Sequence, residues 1–244
     1  MPELPLHLAE VMVLIVVTVL GPLYELLHGW PHFCRPVTEG KPDVRASTYR
    51  EATIVQWALV GACVAAWAAS GRPWGAPALS LPTGPRFWGS GCLIAGIVVL
   101  QFRQLRKLSQ LPTARAALLK KISSMPFLQL IPRDQHELAW MYPLCVTAGF
   151  CEELLYRGFV VWGLSVPLGW WAATAVSVLA FGFMHAYQGT SGILRTAATG
   201  LVMTVFVAVT RSLWPAMVLH AVIDVGSATL LNVVLRYSPV VSVA

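Results

Sequence analysis

The stretch "CEELLYRG", residues 151–158, places two carboxylates and one arginine inside a strongly apolar part of the chain. About fifteen mostly apolar residues precede Glu152, and a helical pattern continues to about Gly163. Ionisable groups at membrane depth cost several kcal/mol unless they are paired or face a cavity. The stretch therefore predicts a membrane-spanning helix that carries a functional polar cluster, with a purely structural buried cluster as the alternative.

The whole chain is too apolar for an ordinary soluble domain, since 57% of its 244 residues are hydrophobic, 11% are charged and its mean hydropathy is +0.66. Segments that cross a membrane without a closed barrel must be helical, because each backbone amide needs an internal partner. We therefore predict an all-α fold, a polytopic transmembrane helical bundle of about seven spans. The predicted spans are residues 6–28, 51–70, 86–102, 135–163, 169–187, 192–210 and 213–235.

The net charge of +6 comes from basic residues that lie between the apolar runs rather than on one folded basic domain. This distribution argues against nucleic acid as a partner and is typical of a topology signal. Seven of the 17 Lys and Arg residues lie between the third and fourth predicted spans, in residues 101–133. By the positive-inside rule this connector is cytoplasmic, which places the N-terminus outside and the C-terminus inside.

Several other ionisable residues lie near the ends of the predicted spans. We interpret Glu10, Glu25 and His28 as side chains that snorkel toward the membrane surface from the first span. Glu51 is predicted to start the second span, and Glu137 is predicted to lie in the first turn of the fourth. A carboxylate suits the positive end of a helix dipole at both places.

Glu153 and Arg157 are four residues apart with the acid on the N-terminal side, which is the favourable order for an ion pair on a helix. Successive helical residues point about 100° apart, so Glu152 and Glu153 cannot share one direction. The pairing of Glu153 with Arg157 therefore predicts that Glu152 is the free carboxylate of the stretch.

Two histidines on later apolar segments are candidate companions of Glu152. His185 lies in "AFGFMHAYQG", residues 180–189, and His220 opens "HAVID", in which Asp224 follows on the same helical face. Counted from the outer ends of their predicted spans, Glu152, His185 and His220 lie at depths of roughly 16, 24 and 10 Å. This spread of about 14 Å exceeds a contact distance, so we expect tilted helices or shifted boundaries if the groups form one site.

The order of three motifs resembles that of the CPBP family of intramembrane proteases. These are E-E-x-x-x-R at "EELLYR" (152–157), F-x-x-x-H at "FGFMH" (181–185) and H-x-x-x-[ND] at "HAVID" (220–224). The stretches "HELAW", "RGF" and "RSLWPAMVLHAVID" add to the resemblance, which covers roughly residues 132–235. The family includes the type II CAAX prenyl endopeptidases and the bacterial bacteriocin-processing and immunity-associated (Abi) proteins.

The resemblance implies a role for each matched residue. It implies that Glu152 activates the attacking water and that His185 helps to hold this water. It also implies that His220, together with residue 224, stabilises the oxyanion of the tetrahedral intermediate. Structural support of the site is implied for Glu153, Arg157 and Phe181.

Asp224 departs from the usual family pattern, because this position is often Asn, whose amide donates a hydrogen bond, whereas an ionised Asp only accepts one. Asp224 is therefore expected either to be protonated or, as we favour, to orient His220. The resemblance also leaves open a zinc-dependent mechanism with Glu152, His185 and His220 as metal ligands. We favour a glutamate-dependent mechanism that requires no cofactor, with zinc as the alternative.

The resulting hypothesis is an intramembrane endopeptidase that hydrolyses a peptide bond of a membrane-associated protein or peptide. Its expected partners are membrane lipids and this substrate. One alternative is a non-catalytic membrane immunity or scaffold protein of the same fold. A transporter with a proton relay is another, although no paired broken-helix halves support it.

The resemblance also divides the chain. Residues 1–131 are predicted to hold N-terminal transmembrane helices and the basic cytoplasmic connector, 132–235 the CPBP/Abi-like catalytic helical core, and 236–244 a C-terminal tail. The compact length and the short segment before the first span favour a multi-pass integral protein of the bacterial plasma membrane.

Overall fold

The computed structural model describes residues 6–72, 78–123 and 125–236, and all regular structure within these ranges is helical. The all-α fold class is therefore confirmed. The helices of these ranges are α1 (Leu8–Thr38), α2 (Val44–Ala69), α3 (Pro85–Gln110), α4 (Pro112–Ile122), α5 (135–168), α6 (Trp170–Met184), α7 (Thr190–Thr210) and α8 (Trp214–Arg236). The predicted tail, 236–244, lies outside the described residues apart from Arg236.

Each of the predicted spans falls on one of these helices, and the basic connector contains the short helix α4. Five of the described helices, α1, α2, α3, α7 and α8, are long and apolar enough to cross a membrane. Helix α6 has only 15 residues, and α5 carries the ionisable cluster at 152–157. A helical membrane bundle is confirmed, whereas seven as the number of spans stays a prediction.

Helix α5 changes its winding within the stretch singled out by the sequence. It is α-helical over Gln135–Glu152, π-helical over Glu153–Val160 and α-helical again over Val161–Leu168. The helix begins at Asp134, whose side chain accepts a hydrogen bond from the backbone nitrogen of Glu137 at 2.8 Å. Because π-helical turns inside α-helices often occur at functional sites, this segment favours a functional role for residues 151–158.

Helix α5 packs against α2, α6 and α8, which places it between the helices that carry the other candidate residues. Helices α5 and α8 approach closely at Gly149, where an added Cβ would lie 2.6 Å from the backbone nitrogen of Ala221. The approach therefore requires a residue without a side chain at position 149. Since Ala221 follows His220, this contact brings His220 against the polar stretch of α5.

The prediction that Glu10 snorkels to the membrane surface is wrong. Glu10 is fully buried, and its carboxylate accepts hydrogen bonds from the Nε and Nη2 atoms of Arg72 at 2.9 and 2.8 Å. The Arg72 guanidinium also lies 5.1 Å from the ring of Trp162. Arg72, just after α2, is thus a buried partner of Glu10. The position of Glu10 within the first predicted span does not indicate this partner.

The expectation that Glu51 starts the second helix is also wrong. The expectation that Glu137 lies in the first turn of the fourth predicted span is confirmed. Helix α2 begins at Val44, so Glu51 lies exposed about two turns inside it. The helix extends past its apolar part because Arg45 is held there by the Glu137 carboxylate, with an Nη1 to Oε1 distance of 3.3 Å. Glu137 lies in the first turn of α5 and also accepts a hydrogen bond from the backbone nitrogen of Arg133 at 2.6 Å.

Candidate active site

The predicted ion pair between Glu153 and Arg157 is present and buried. Arg157 Nη1 lies 3.0 Å from Glu153 Oε1, and the two side chains are 1% and 0% exposed. The same Oε1 atom accepts a hydrogen bond from His220 Nδ1 at 2.8 Å. Oε1 of Glu153 is therefore occupied by two donors, one on its own helix and one on α8, whereas its Oε2 is buried without a hydrogen-bond partner among the described residues.

Glu152 differs from Glu153 because its hydrogen-bond partner is an uncharged amide and its side chain is 14% rather than 0% exposed. Gln56 Nε2 on α2 donates to Oε1 of Glu152 at 3.2 Å. Oε2 is buried, has no hydrogen-bond partner among the described residues and lies 3.9 Å from His220 Nε2. Pairing of Glu153 with Arg157 leaves Glu152 without an arginine partner among the described residues, but Oε2 of Glu153 is also without a hydrogen-bond partner there, so Glu152 as the free carboxylate stays a prediction.

The contacts of His220 define which of its ring atoms faces the site. A carboxylate only accepts hydrogen bonds, so Nδ1 of His220 carries the proton that is shared with Glu153. Nε2 then faces Glu152 Oε2 and, at 3.5 Å, Asp224 Oδ2. Because both of these groups are acceptors when ionised, Nε2 interacts favourably with them only in the imidazolium form.

His185 reaches the site from the end of α6. Its Nδ1 lies 2.9 Å from the carbonyl oxygen of Phe181, which fixes the proton on Nδ1 and leaves Nε2 as an acceptor in the neutral ring. Among the described residues, His185 makes no hydrogen bond to Glu152. The two histidines are instead joined through Phe181, whose ring centroid lies 5.0 Å from that of His185 and 6.1 Å from that of His220.

The Phe181 ring also covers the ion pair. The guanidinium carbon of Arg157 lies 4.2 Å from its centroid, within the range of a cation–π contact. Phe181 packs edge-on against Tyr156 as well, with centroids 5.0 Å apart. The predicted support residues Glu153, Arg157 and Phe181 are thus assembled as one buried layer beneath Glu152.

Helix boundaries remove part of the depth mismatch that the sequence suggested. Helix α5 continues to Leu168 and α6 begins at Trp170. Glu152 lies sixteen residues before the first of these ends and His185 fifteen residues after the second. The two residues are therefore level, because the predicted end at residue 163 was about 8 Å too early.

His220 is brought to the same layer by a recessed connector. Ser212 and Leu213, just before α8, are both fully buried. The backbone nitrogen of Leu213 donates to the carbonyl oxygen of Ala78 at 2.9 Å, so another segment lies over this connector. Helix α8 consequently starts inside the protein, and a residue near its start lies deeper than a count from the surface suggests.

The predicted zinc ligands are not assembled in this arrangement. Within the described parts of the chain, no three His, Cys, Asp or Glu side chains are grouped closely enough to hold a metal ion. Glu152 lies 3.9 Å from His220 instead, and the two histidines are linked through the ring of Phe181. The open Oε2 atom suits a water molecule, and we derive no chemical step through a metal.

Gln56 is the site residue that sequence reasoning missed. It lies on α2, 96 positions before Glu152, and belongs to none of the three motifs. The available signal was an amide between Val55 and Trp57 in an otherwise apolar stretch of a predicted span. A polar side chain there requires a buried partner, but the sequence does not indicate which one.

The three motifs lie within a segment that matches a known family model. Residues 134–226 match the family model described as "Type II CAAX prenyl endopeptidase Rce1-like". The chain has no significant match among curated proteins or among solved structures. The matched segment runs from the start of α5 into α8 and contains all three motifs, whereas Gln56 lies outside it.

Proposed function

We propose that this chain, a CPBP-family protein of the general class of CAAX-type intramembrane proteases, is an endopeptidase in which Glu152 activates water. The observation that carries the proposal is the contrast between the two adjacent carboxylates. Glu153 is 0% exposed and its Oε1 holds both Arg157 and His220, whereas Glu152 is 14% exposed and its Oε1 accepts from the uncharged amide of Gln56. Oε2 of Glu153 is likewise buried without a hydrogen-bond partner among the described residues, but Glu153 is neutralised by Arg157 and fully buried, so Glu152 is the carboxylate that a substrate can reach.

In the first step, the water donates one proton to Oε2 of Glu152 while its oxygen forms a bond to the scissile carbonyl carbon. The carbonyl π electrons move onto the carbonyl oxygen and produce a tetrahedral oxyanion. In the second step the C–N bond breaks, and Glu152 returns its proton to the leaving nitrogen. A positioned carboxylate can act in this way as general base and then as general acid.

His220 is the candidate donor for the oxyanion. Its Nδ1 proton is held by Glu153, so Nε2, which lies between Glu152 and Asp224, is the ring nitrogen that faces the substrate. In the imidazolium form, Nε2–H can donate to the developing negative charge, and one such donor contributes about 3 kcal/mol in other enzymes. The neutral His185 ring offers Nε2 as an acceptor that can help to hold the water.

The burial of the site limits the class of substrate. Glu152 and His220 are only 14% and 9% exposed, and the helices around them are those of an integral membrane protein. A folded domain cannot bring its backbone to such a site, whereas an extended or partly unfolded segment can. We therefore expect cleavage of a flexible segment of a membrane-associated protein or peptide, in the bacterial plasma membrane.

The direct test compares cells that express the wild type, Glu152→Gln or the exposed control Glu51→Gln. New protein termini in the membrane fraction are mapped by mass spectrometry, and the cleaved segment is then assayed with purified enzyme in liposomes. We expect the wild type and E51Q to generate the same termini and E152Q to generate none. Equal cleavage by E152Q would reject the assigned mechanism, and full biological activity of E152Q would favour the non-catalytic scaffold.

A separate measurement decides between the glutamate and zinc mechanisms. Purified active protein is analysed for bound metal and is then assayed after treatment with a chelator. We expect cleavage to continue without stoichiometric zinc. Activity that disappears together with bound zinc and returns when zinc is added back would establish the metal-dependent alternative.

A further inference from the structure

The structure assigns to Gln56, which no motif of the family segment contains, the positioning of Glu152 and of its water. This inference rests on the proposed function. The amide of Gln56 donates from Nε2 to Oε1 of Glu152 at 3.2 Å, across the interface between α2 and α5. The contact occupies one oxygen of Glu152 and so determines which oxygen acts as the base.

The direction of the Gln56 amide follows from chemistry. A carboxylate accepts hydrogen bonds, so the nitrogen of the amide must face Glu152 and its oxygen must point elsewhere. That oxygen, Oε1, is buried and has no hydrogen-bond partner among the described residues. Oε2 of Glu152 is likewise buried and has no hydrogen-bond partner among the described residues. The amide and the carboxylate thus contribute one open acceptor each.

A water molecule has two donors and can serve both acceptors at once. In the proposed arrangement, one O–H points to Oε2 of Glu152 and the other to Oε1 of Gln56. When the water attacks, the first proton passes to Glu152, while the second stays on the attacking oxygen and remains hydrogen-bonded to Gln56. The lone pair of the water is then free to form the bond to the carbonyl carbon.

Gln56 can act in this way because α2 is held in register with α5 at several levels. Arg45 pairs with Glu137 near the start of both helices, and Trp57 Nε1 donates to Thr147 Oγ1 at 3.2 Å in the middle. Both contacts fix the height and rotation of α2 without touching Glu152. The amide of Gln56 is consequently presented by a rigid element, as a positioning group requires.

The test uses Gln56→Met, which keeps the length of the side chain but removes its donor and its acceptor. Ile54→Met is the matched control, because it introduces the same side chain on the same helix at a residue that is 68% exposed, and it leaves Gln56 and the Trp57–Thr147 hydrogen bond in place. For each variant, kcat and KM are measured in liposomes on the segment cleaved by the wild type, and the thermal midpoint is measured in detergent. We expect Q56M to lower kcat roughly 10- to 100-fold with KM within about twofold, and I54M to keep kcat within about twofold.

The outcomes separate this inference from the proposed function. A wild type that cleaves, together with a Q56M variant of unchanged kcat, overturns the role of Gln56 and leaves the protease intact. A lower thermal midpoint with unchanged kcat would assign Gln56 to packing alone. A wild type that generates no new termini overturns the proposed function, and the role of Gln56 with it.

Discussion

Asp224 stands beside His220 at a position that is often Asn in CPBP proteins, and its contact argues for an orienting role. Its Oδ2 atom lies 3.5 Å from His220 Nε2, and its side chain is 36% exposed. An ionised Asp stabilises the imidazolium at this place but cannot donate to an oxyanion. We therefore expect Asp224→Asn to lower kcat on the order of tenfold, equal to about 1.4 kcal/mol.

The measurement for Asp224 is kcat on the cleaved segment in liposomes, with Ser227→Asn as the control. Ser227 is exposed on the same helix, so its substitution is expected to leave kcat unchanged. If D224N were as active as the wild type or more active, the residue at 224 would act as a donor, and the orienting role would be rejected.

At the residue scale, local spacing predicts contacts that lie within one helix and fails for contacts between distant segments. The pair of Glu153 with Arg157 follows from an i,i+4 relation, which a helix enforces wherever it lies. The third partner, His220, is 67 positions away from Glu153 and reaches it only through the packing of α8. Glu10 has its partner 62 positions away, and for this reason its burial could not be anticipated.

The crossing of α5 and α8 at Gly149 determines where His220 lies. An added Cβ at Gly149 would be 2.6 Å from the backbone nitrogen of Ala221 and 2.7 Å from its Cβ atom. Neither atom is the end of a flexible side chain, so the helices must move apart. We expect Gly149→Ala to destabilise the protein by about 1 to 3 kcal/mol and to reduce cleavage strongly, since His220 moves with α8.

The matched control for this crossing is Gly61→Ala on α2, where an added Cβ has no atom within 4 Å. Alanine is favoured over glycine in a helix, so G61A is expected to unfold at the same temperature or slightly higher. Thermal unfolding in detergent and cleavage in liposomes are measured for both variants. Equal thermal midpoints for G149A and the wild type would contradict the close crossing.

At the element scale, the apolar runs predict every span as a helix, but they place its ends poorly. Helix α5 ends at Leu168 rather than near residue 163, and α2 begins at Val44 rather than at Glu51. An apolar run indicates how much of the chain lies in the hydrocarbon of the membrane. A helix can extend beyond this run where polar contacts stabilise it. The apolar pattern does not predict the π-helical segment Glu153–Val160, because this segment changes the winding of the helix and not its amino-acid composition.

Across the whole molecule, hydrogen bonds join the connectors in two groups. These groups are the two sets of connectors that the alternation of the predicted spans assigns to opposite sides of the membrane. Arg45, after the first span, donates from Nε to the carbonyl oxygen of Gln129, before the fourth. On the other side, the Leu213 nitrogen donates to the Ala78 carbonyl oxygen. Connectors assigned to one membrane side are thus joined to each other in both cases. Which side faces the cytoplasm depends on the charge distribution alone.

The orientation is testable with single cysteines in a variant that lacks Cys34 and Cys92, because Cys63, Cys145 and Cys151 are buried. Ser80 and Ser109 are exposed on the two opposite groups of connectors. The residues around Ser109 carry the block of seven basic side chains, which the positive-inside rule places in the cytoplasm.

We therefore expect a membrane-impermeant maleimide to label Ser80→Cys in intact cells and Ser109→Cys only after the membrane is permeabilised. Glu152 lies at the middle of α5, seventeen residues from its start at Gln135 and sixteen from its end at Leu168, so this labelling pattern tests the orientation of the helices alone. The reverse labelling pattern would invert the orientation.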